Sequence, residues 1–232
     1  MQRPIKISTD YTLYAESSVL IETGNTKVLC NISIENGVPQ FLKDSGKGWI
    51  TAEYSMLPRS THTRSRREVN SGKISGRTAE IQRLIGRSLR SVVDLTLIEG
   101  MTVFIDCDVI QADGGTRTAS ISGASVALYI AFEKMYKQGK LLKNPMTELV
   151  AGVSVGLIDN LVMVDFDYHS DSSAQVDMNI IMTESGQFVE IQGTGEESPF
   201  SRSELDLMLN EAEPAINKIF IEQKKAIESY VF

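Results

Sequence analysis

The stretch QADGGTRTASISGASVAL, residues 111–128, joins two different periodicities and so decides how the chain is laid out. In front of it, TVFIDCDVIQAD (102–113) has the β-branched and apolar character of a strand. Behind it, residues 118–138 form a run of small and apolar residues that ends at Gly139, the signature of a buried helix closed by a glycine. Gly114, Gly115, Thr116 and Arg117 lie between them. Unpaired N–H groups and the helix dipole favour an anion at such a mouth. Taken alone, the four residues are equally a phosphate cradle or a tight strand-to-helix turn.

Working outward, TKVLCNISIE alternates and ends at an Asn36-Gly37 turn, and GWITAEYSML follows a glycine-bearing loop at 44–48, so both predict strands. Residues 58–76, PRSTHTRSRREVNSGKISG, show no periodicity and predict a long polar loop. From Thr78 the pattern turns helical, with Ile81, Leu84, Ile85, Leu89, Val92 and Val93 on one stripe. Arg83, Arg87 and Arg90 fall away from that stripe, left for solvent or a ligand. Two hairpins follow: LVAGVSVGLI with LVMVDF, turning at Asp159-Asn160, and VDMNIIMT with QFVEIQ, turning near Ser185-Gly186. Ser201 or Ser203 with Glu204 predicts a helix cap, and Pro214 is expected to kink or split the helix before Ile216–Tyr230. Strands and helices mix without strict alternation, which points to one α+β domain over residues 1–232.

The chain has 232 residues, enough for a large core, and its 42% apolar and 23% charged residues suit a soluble globular protein. No apolar run approaches the roughly 20 residues of a membrane span, and MQRPIKIST lacks a signal-peptide core, so a cytoplasmic protein without a membrane partner is expected. Cys30 and Cys107 both sit in strand-like runs, where they read as small core residues and not as a disulfide framework. No nucleophile elbow, Walker loop or GxGxxG is present, and His62 and His169 have no zinc-type spacing.

The net charge of −7 hides a segregation. Residues 59–90 carry nine Lys or Arg against Glu68 and Glu80, a surplus of seven positive charges, so the other 200 residues carry −14. Eight of the nine are arginines, whose planar fork matches phosphate oxygens. A basic stretch on an acidic body is the expected form of a focused polyanion site. The acidic counterpart is DFDYHSDSSAQVDMN, 165–179, in which Asp171 lies in a polar turn and Asp177 opens a strand, sharing its face with Gln175 and Asn179. Two neighbouring carboxylates suit a hard cation such as Mg²⁺, or let one act as an acid while the other stays ionised. A phosphate-sized turn, an arginine-rich segment and an acidic pair together make an inventory for phosphoryl transfer.

Long blocks of the chain resemble the ribonuclease PH family: GWITAEYSMLPRSTHTRSRRE, SGRTAEIQRLIGRSLRSVVDL, IDCDVIQADGGTRTASISGA, VDMNIIMT and EIQGTGEESPFSRSEL, in the family's order, from about Ile5 to Gln223. The resemblance implies the ribonuclease PH-type, ribosomal protein S5 domain 2-like mixed sheet and helix fold. It also implies a homohexamer built as a trimer of dimers. The implied activity is phosphorolytic 3′→5′ trimming of RNA, chiefly tRNA precursor 3′ ends, with inorganic phosphate as co-substrate and Mg²⁺ as cofactor. By position, the phosphate-binding residues fall on Arg77, Gly115, Thr116 and Arg117, and the catalytic, metal-binding aspartates on Asp171 and Asp177. The loop arginines tied to RNA handling and ring contacts fall on Arg59, Arg64 and Arg67.

The chain departs from the family pattern by starting a few residues late, by Ser170 in place of a glutamate, by Gly195 in place of an alanine, and by Glu213-Pro214 where a glycine is familiar. An alternative is a non-catalytic, RNA-binding exosome-like ring subunit, although such subunits typically lose the phosphate arginine, the GTR segment or the aspartates. A small-molecule phosphoryl-transfer enzyme and a plain RNA-binding module are further alternatives.

Overall fold

The computed structural model describes residues 2–232 except Asn160, Ser172 and Glu197, and excepting the side chains of Val69, Ser71 and Asp171. The strands of the first half are β1 (Ile5–Thr9), β2 (Ser17–Thr23), β3 (Thr26–Asn36), β4 (Trp49–Met56) and β5 (Met101–Gln111). They form a sheet in the order β1-β2-β3-β5-β4, antiparallel except for β4 beside β5. Parallel neighbours need a crossover, and α1 (Gly76–Arg90) supplies it. Next comes α2 (Thr116–Lys137), then β6 (Val150–Ile158), β7 (Leu161–Val164), the single turn α3 (Tyr168–Asp171), β8 (Val176–Thr183) and β9 (Phe188–Gly195). The second sheet has the order β7-β6-β8-β9, and α4 (Arg202–Glu228) closes the chain.

Helix α2 explains the alanine- and serine-rich run. It packs on β2 and β3 of the first sheet and on β6 of the second, and most of it is buried. Small residues permit this double approach: a Cβ added at Gly123 would lie 2.7 Å from Ile21 Cγ2. The serines do more than save space, since Ser122 Oγ accepts from the Gly152 N–H at 3.2 Å and Ser125 Oγ from the Val150 N–H at 3.1 Å. Gln223 on α4 donates to the carbonyls of Ser122 (2.8 Å) and Val150 (3.1 Å), so buried polar groups stitch helix, sheet and helix together. Cys30 and Cys107 face each other across β3 and β5 as free, buried thiols. Among the described residues no helix is long and apolar enough to cross a membrane.

Two expectations are corrected. Pro214 does not split the last helix: α4 runs unbroken from Arg202 to Glu228, capped by Ser201 and Glu204. Its buried residues lie on both sides of the proline, from Met208 to Ala226, and that packing outweighs one missing hydrogen bond. The arginines of α1 are not all left for solvent or a ligand. Arg90 donates to the Ile50 carbonyl at 2.7 Å and stacks 4.4 Å over Trp49, and Arg87 pairs with Glu190 at 2.9 Å. Asp177 is the second residue of β8, an interior strand between β6 and β9. Strands β1 and β2 have no clear signal in the sequence.

On the face of β5 away from the thiols, Asp106 lies level with Glu53 of β4, and Asp108 follows two residues on. Burial raises both carboxyls above the ordinary range. Repulsion from Glu53 and Asp108 adds to it at Asp106, whereas the Arg67 charge partly offsets it at Asp108. The folded chain thus holds these protons more tightly than the unfolded chain, and stability falls as pH rises from the ordinary aspartate range through the raised values. Asp106→Asn is expected to raise the melting temperature at about pH 7, with the gain shrinking toward about pH 4. An unchanged or lowered melting temperature at neutral pH contradicts this account.

Candidate active site

Gly114 and Gly115 adopt left-handed conformations, φ 75° and 64°, and Gly115 is the N-cap of α2. Only glycine fits at 114, because a Cβ there would collide with the Phe166 carbonyl oxygen and the backbone of Asp167. The turn is also held from the β2–β3 side, where Thr26 Oγ1 accepts from the Asp113 N–H at 2.9 Å and donates to the Gly114 carbonyl at 2.6 Å. Gly115 offers no side chain to cap the helix, and the first turn carries no acidic residue. The first-turn amides of α2 and its positive dipole end are thereby offered to an anion.

A cavity of about 440 Å³ opens at this point. Arg77 from the first turn of α1, Gly114 to Arg117, and Asp177 and Asn179 of β8 all line it. Ser154 lies level with Asn179, and Gly156 with Asp177, on the paired strand β6; Gln192 lies level with Asn179 on β9. Strand register therefore gathers these groups on one face. Arg117 Nη1 donates to Gln192 Oε1 at 2.7 Å, and Gln192 donates in turn to Glu80 of α1, so β9 fixes both the guanidinium and the helix that carries Arg77. With two arginines against the single carboxylate of Asp177 among the described lining residues, the cavity favours an anion.

Tyr54 stands behind the cradle, its hydroxyl 2.8 Å from Thr116 Oγ1. Burial raises the phenol above its usual value, although the Thr116 bond and the charges of Arg77 and Arg117 oppose the shift. Tyr54 therefore stays neutral and can set the orientation of the Thr116 hydroxyl. The outer wall is aromatic: the His62 ring lies 6.0 Å from Tyr168 and 6.4 Å from His169, centre to centre. Ser154 Oγ is buried without a hydrogen-bond partner among the described residues. Together with Asp177 and the Asn179 amide it supplies oxygen donors suited to a hard cation such as Mg²⁺.

Of the residues singled out by sequence, Arg77, Gly115, Thr116, Arg117 and Asp177 line one cavity. The backbone of Asp171 ends α3, and its side chain lies outside the described residues. Arg59, Arg64 and Arg67 do not line the cavity. Arg59 donates to the His62 carbonyl at 3.0 Å, Arg64 is exposed, and Arg67 lines a neighbouring cavity of about 410 Å³ with Arg66 and Lys73. Sequence reasoning missed Tyr54, Ser154 and Gln192. Tyr54 shares the inward face of a predicted strand with Ile50 and Ala52, so its parity carried a signal, but only the register of β6, β8 and β9 reveals the other two.

Family models match both halves: "3′ exoribonuclease family, domain 1" over residues 1–132 and "3′ exoribonuclease family, domain 2" over residues 148–214. The chain belongs to the 3′ exoribonuclease family. Among solved structures it is similar to the Rrp46 protein of rice (Oryza sativa), with a TM-score of 0.81 and 17% identity over 99% of this chain and 96% of that one. It is also similar to a chain of the Archaeoglobus fulgidus exosome with RNA bound to the active site, with a TM-score of 0.81 and 22% identity over 96% and 89%. A chain of an archaeal exosome core gives a TM-score of 0.77 and 21% identity over 97% and 87%. The fold is thus of ribonuclease PH type, α+β with mixed sheet and helices.

The packing at Gly114 leads to a stability test. Gly114→Ala is expected to lower unfolding free energy by about 1–3 kcal/mol through positive-φ strain, with the backbone clash adding to it. Chemical denaturation measures this, and an unchanged midpoint contradicts the role given to the turn.

Proposed function

We propose that the chain is a phosphorolytic 3′→5′ exoribonuclease acting on RNA 3′ ends, tRNA precursors among them. The observation that carries this reading is the convergence of Arg77, the Gly115–Thr116–Arg117 turn and Asp177 on one anion-favouring cavity. Orthophosphate occupies the turn, held by the α2 amides, the Thr116 hydroxyl and both guanidiniums. One of its oxygens attacks the phosphorus of the last phosphodiester; the P–O3′ bond breaks, and its electron pair goes to the 3′ oxygen, which takes up a proton. The products are a nucleoside diphosphate and an RNA one nucleotide shorter.

The main obstacle is repulsion between two anions, and charge neutralisation with fixed orientation removes most of it. Asp177, Asn179 and Ser154 would hold Mg²⁺, which when bound supplies further positive charge to the phosphoryl oxygens. Asp171 is assigned with Asp177 to the same metal and proton work by family resemblance. Arg59, Arg64 and Arg67, outside the cavity, are assigned to the RNA beyond its last nucleotides and to contacts within a homohexameric ring.

A second reading is favoured by two of the solved neighbours, which are exosome chains: a ring subunit that binds RNA without cutting it. The two readings separate in one assay. RNA with a 3′ overhang, Mg²⁺ and orthophosphate is expected to yield nucleoside diphosphates. Arg77→Ala and Asp177→Asn are each expected to lower turnover by about a hundredfold or more with an unchanged melting temperature. Monophosphate products, or decay independent of phosphate, contradict phosphorolysis, and RNA binding without turnover supports the ring subunit.

A further inference from the structure

Arg3, just before β1, makes three charge-assisted hydrogen bonds to two separate parts of the site wall. Its backbone N–H donates to Asp165 Oδ2 at 2.9 Å, its Nη2 to Asp165 Oδ1 at 2.6 Å, and its Nη1 to the Asp113 carbonyl. The Arg3 side chain is 14% exposed and that of Asp165 is 6% exposed, so the ion pair is largely out of water, where losing one partner is costly. The site is built to receive this side chain. A Cβ on Gly24 would lie 2.8 Å from Arg3 Cδ, and one on Gly115 would lie 3.1 Å from Arg3 Nη2, so glycines flank both the stem and the head. The backbone around Arg3 is anchored as well, by Gln2 Nε2 to the Ala215 carbonyl at 3.0 Å and by the Gly24 N–H to the Pro4 carbonyl at 2.9 Å.

The far partner is under strain. Asp165 is a non-glycine residue at φ 57°, a conformation that persists only where surrounding bonds enforce it. Its N–H donates to the Ser154 carbonyl at 2.7 Å, and Arg3 takes both carboxylate oxygens. Asp165 opens the segment 165–171, which places Phe166 and Tyr168 in the cavity wall and carries Asp171. Asp113 opens the turn that carries Gly115, Thr116 and Arg117. Besides Arg3, the two are joined by contact of Gly114 with the 166–167 backbone and by the Tyr168 N–H to Asp113 Oδ1 at 3.3 Å.

We propose that Arg3 is a positioning residue that locks the anion-binding turn at 113–117 to the segment 165–171, so that the first-half phosphate groups and the second-half wall hold one geometry. Its functional consequence rests on the phosphorolysis reading; the mechanical coupling does not. The guanidinium is not among the residues that line the cavity, and it acts through the Asp113 carbonyl and Asp165.

The test uses the full chain with Arg3→Met, Arg3→Lys and Asp165→Asn. Hydrogen exchange followed by mass spectrometry is expected to show amides in 113–117 and in 165–171 exchanging together at least about tenfold faster in Arg3→Met, with those of α4 and β9 unchanged. Asp165→Asn is expected to reproduce the effect, and Arg3→Lys, which keeps the charge and one bond, to reverse part of it. In steady state, KM for orthophosphate is expected to rise about tenfold in Arg3→Met while KM for RNA stays the same. Faster exchange in only one segment, a uniform rise through the chain, or no change in either segment overturns the proposal. Coupled exchange in a chain whose wild type shows no phosphate-dependent turnover supports the lock and refutes phosphorolysis. Phosphate-dependent turnover with an orthophosphate KM insensitive to Arg3→Met supports phosphorolysis and refutes the lock's effect on phosphate binding.

Discussion

Helix α2 is buried against two sheets at once, and the arrangement of the site follows from that burial. A helix clamped on opposite faces has little freedom to rotate or slide, and close packing turns small displacements into clashes. Its N-terminus is therefore fixed where the edge of the first sheet meets the second. The alanines, serines and Gly123 are what make so close a double approach possible, with Ser122 and Ser125 hydrogen-bonded to the backbone of β6. Because the helix begins at a glycine, its first turn has no side-chain cap, and Gly115, Thr116 and Arg117 line the cavity. Stability and anion affinity thus originate in the same element.

Around that fixed point the two halves contribute different chemistry. The first half brings positive charge: Arg77 on α1, Arg117 on α2 and the dipole of α2. The second half brings oxygen donors, with Asp177, Asn179 and Ser154 brought to one face by the register of β6 and β8. Attack on a phosphodiester by a second phosphate needs both, and needs them at constant separation. The Arg117–Gln192–Glu80 chain and the Arg3–Asp165 pair both span the junction.

Local periodicity made much of this legible in sequence. The strand before 111, the helix after the glycines, both late hairpins and the cap at Ser201 are short-range features, and they appear in the structure with shifts of a few residues at their ends. The resemblance also picked out the cradle, Arg77 and Asp177, which lie far apart in the chain. What stayed hidden depends on long-range packing. Pro214 is carried through an unbroken helix because apolar residues on both sides of it are buried, which no local rule for proline anticipates. Arg87 and Arg90 look free on a helical wheel, and only the positions of Glu190 and Trp49 show that they are engaged. Arg3 gave no signal at all, since its partners lie 110 and 162 positions away.

The most direct test follows the oxygen atoms. RNA digested in the presence of ¹⁸O-labelled orthophosphate should release nucleoside diphosphates whose terminal phosphate carries the label, read by mass spectrometry, because in the proposed reaction the attacking oxygen comes from the anion in the 114–117 turn. Unlabelled nucleoside monophosphates that take up oxygen from isotopic water would show hydrolysis and would contradict the account.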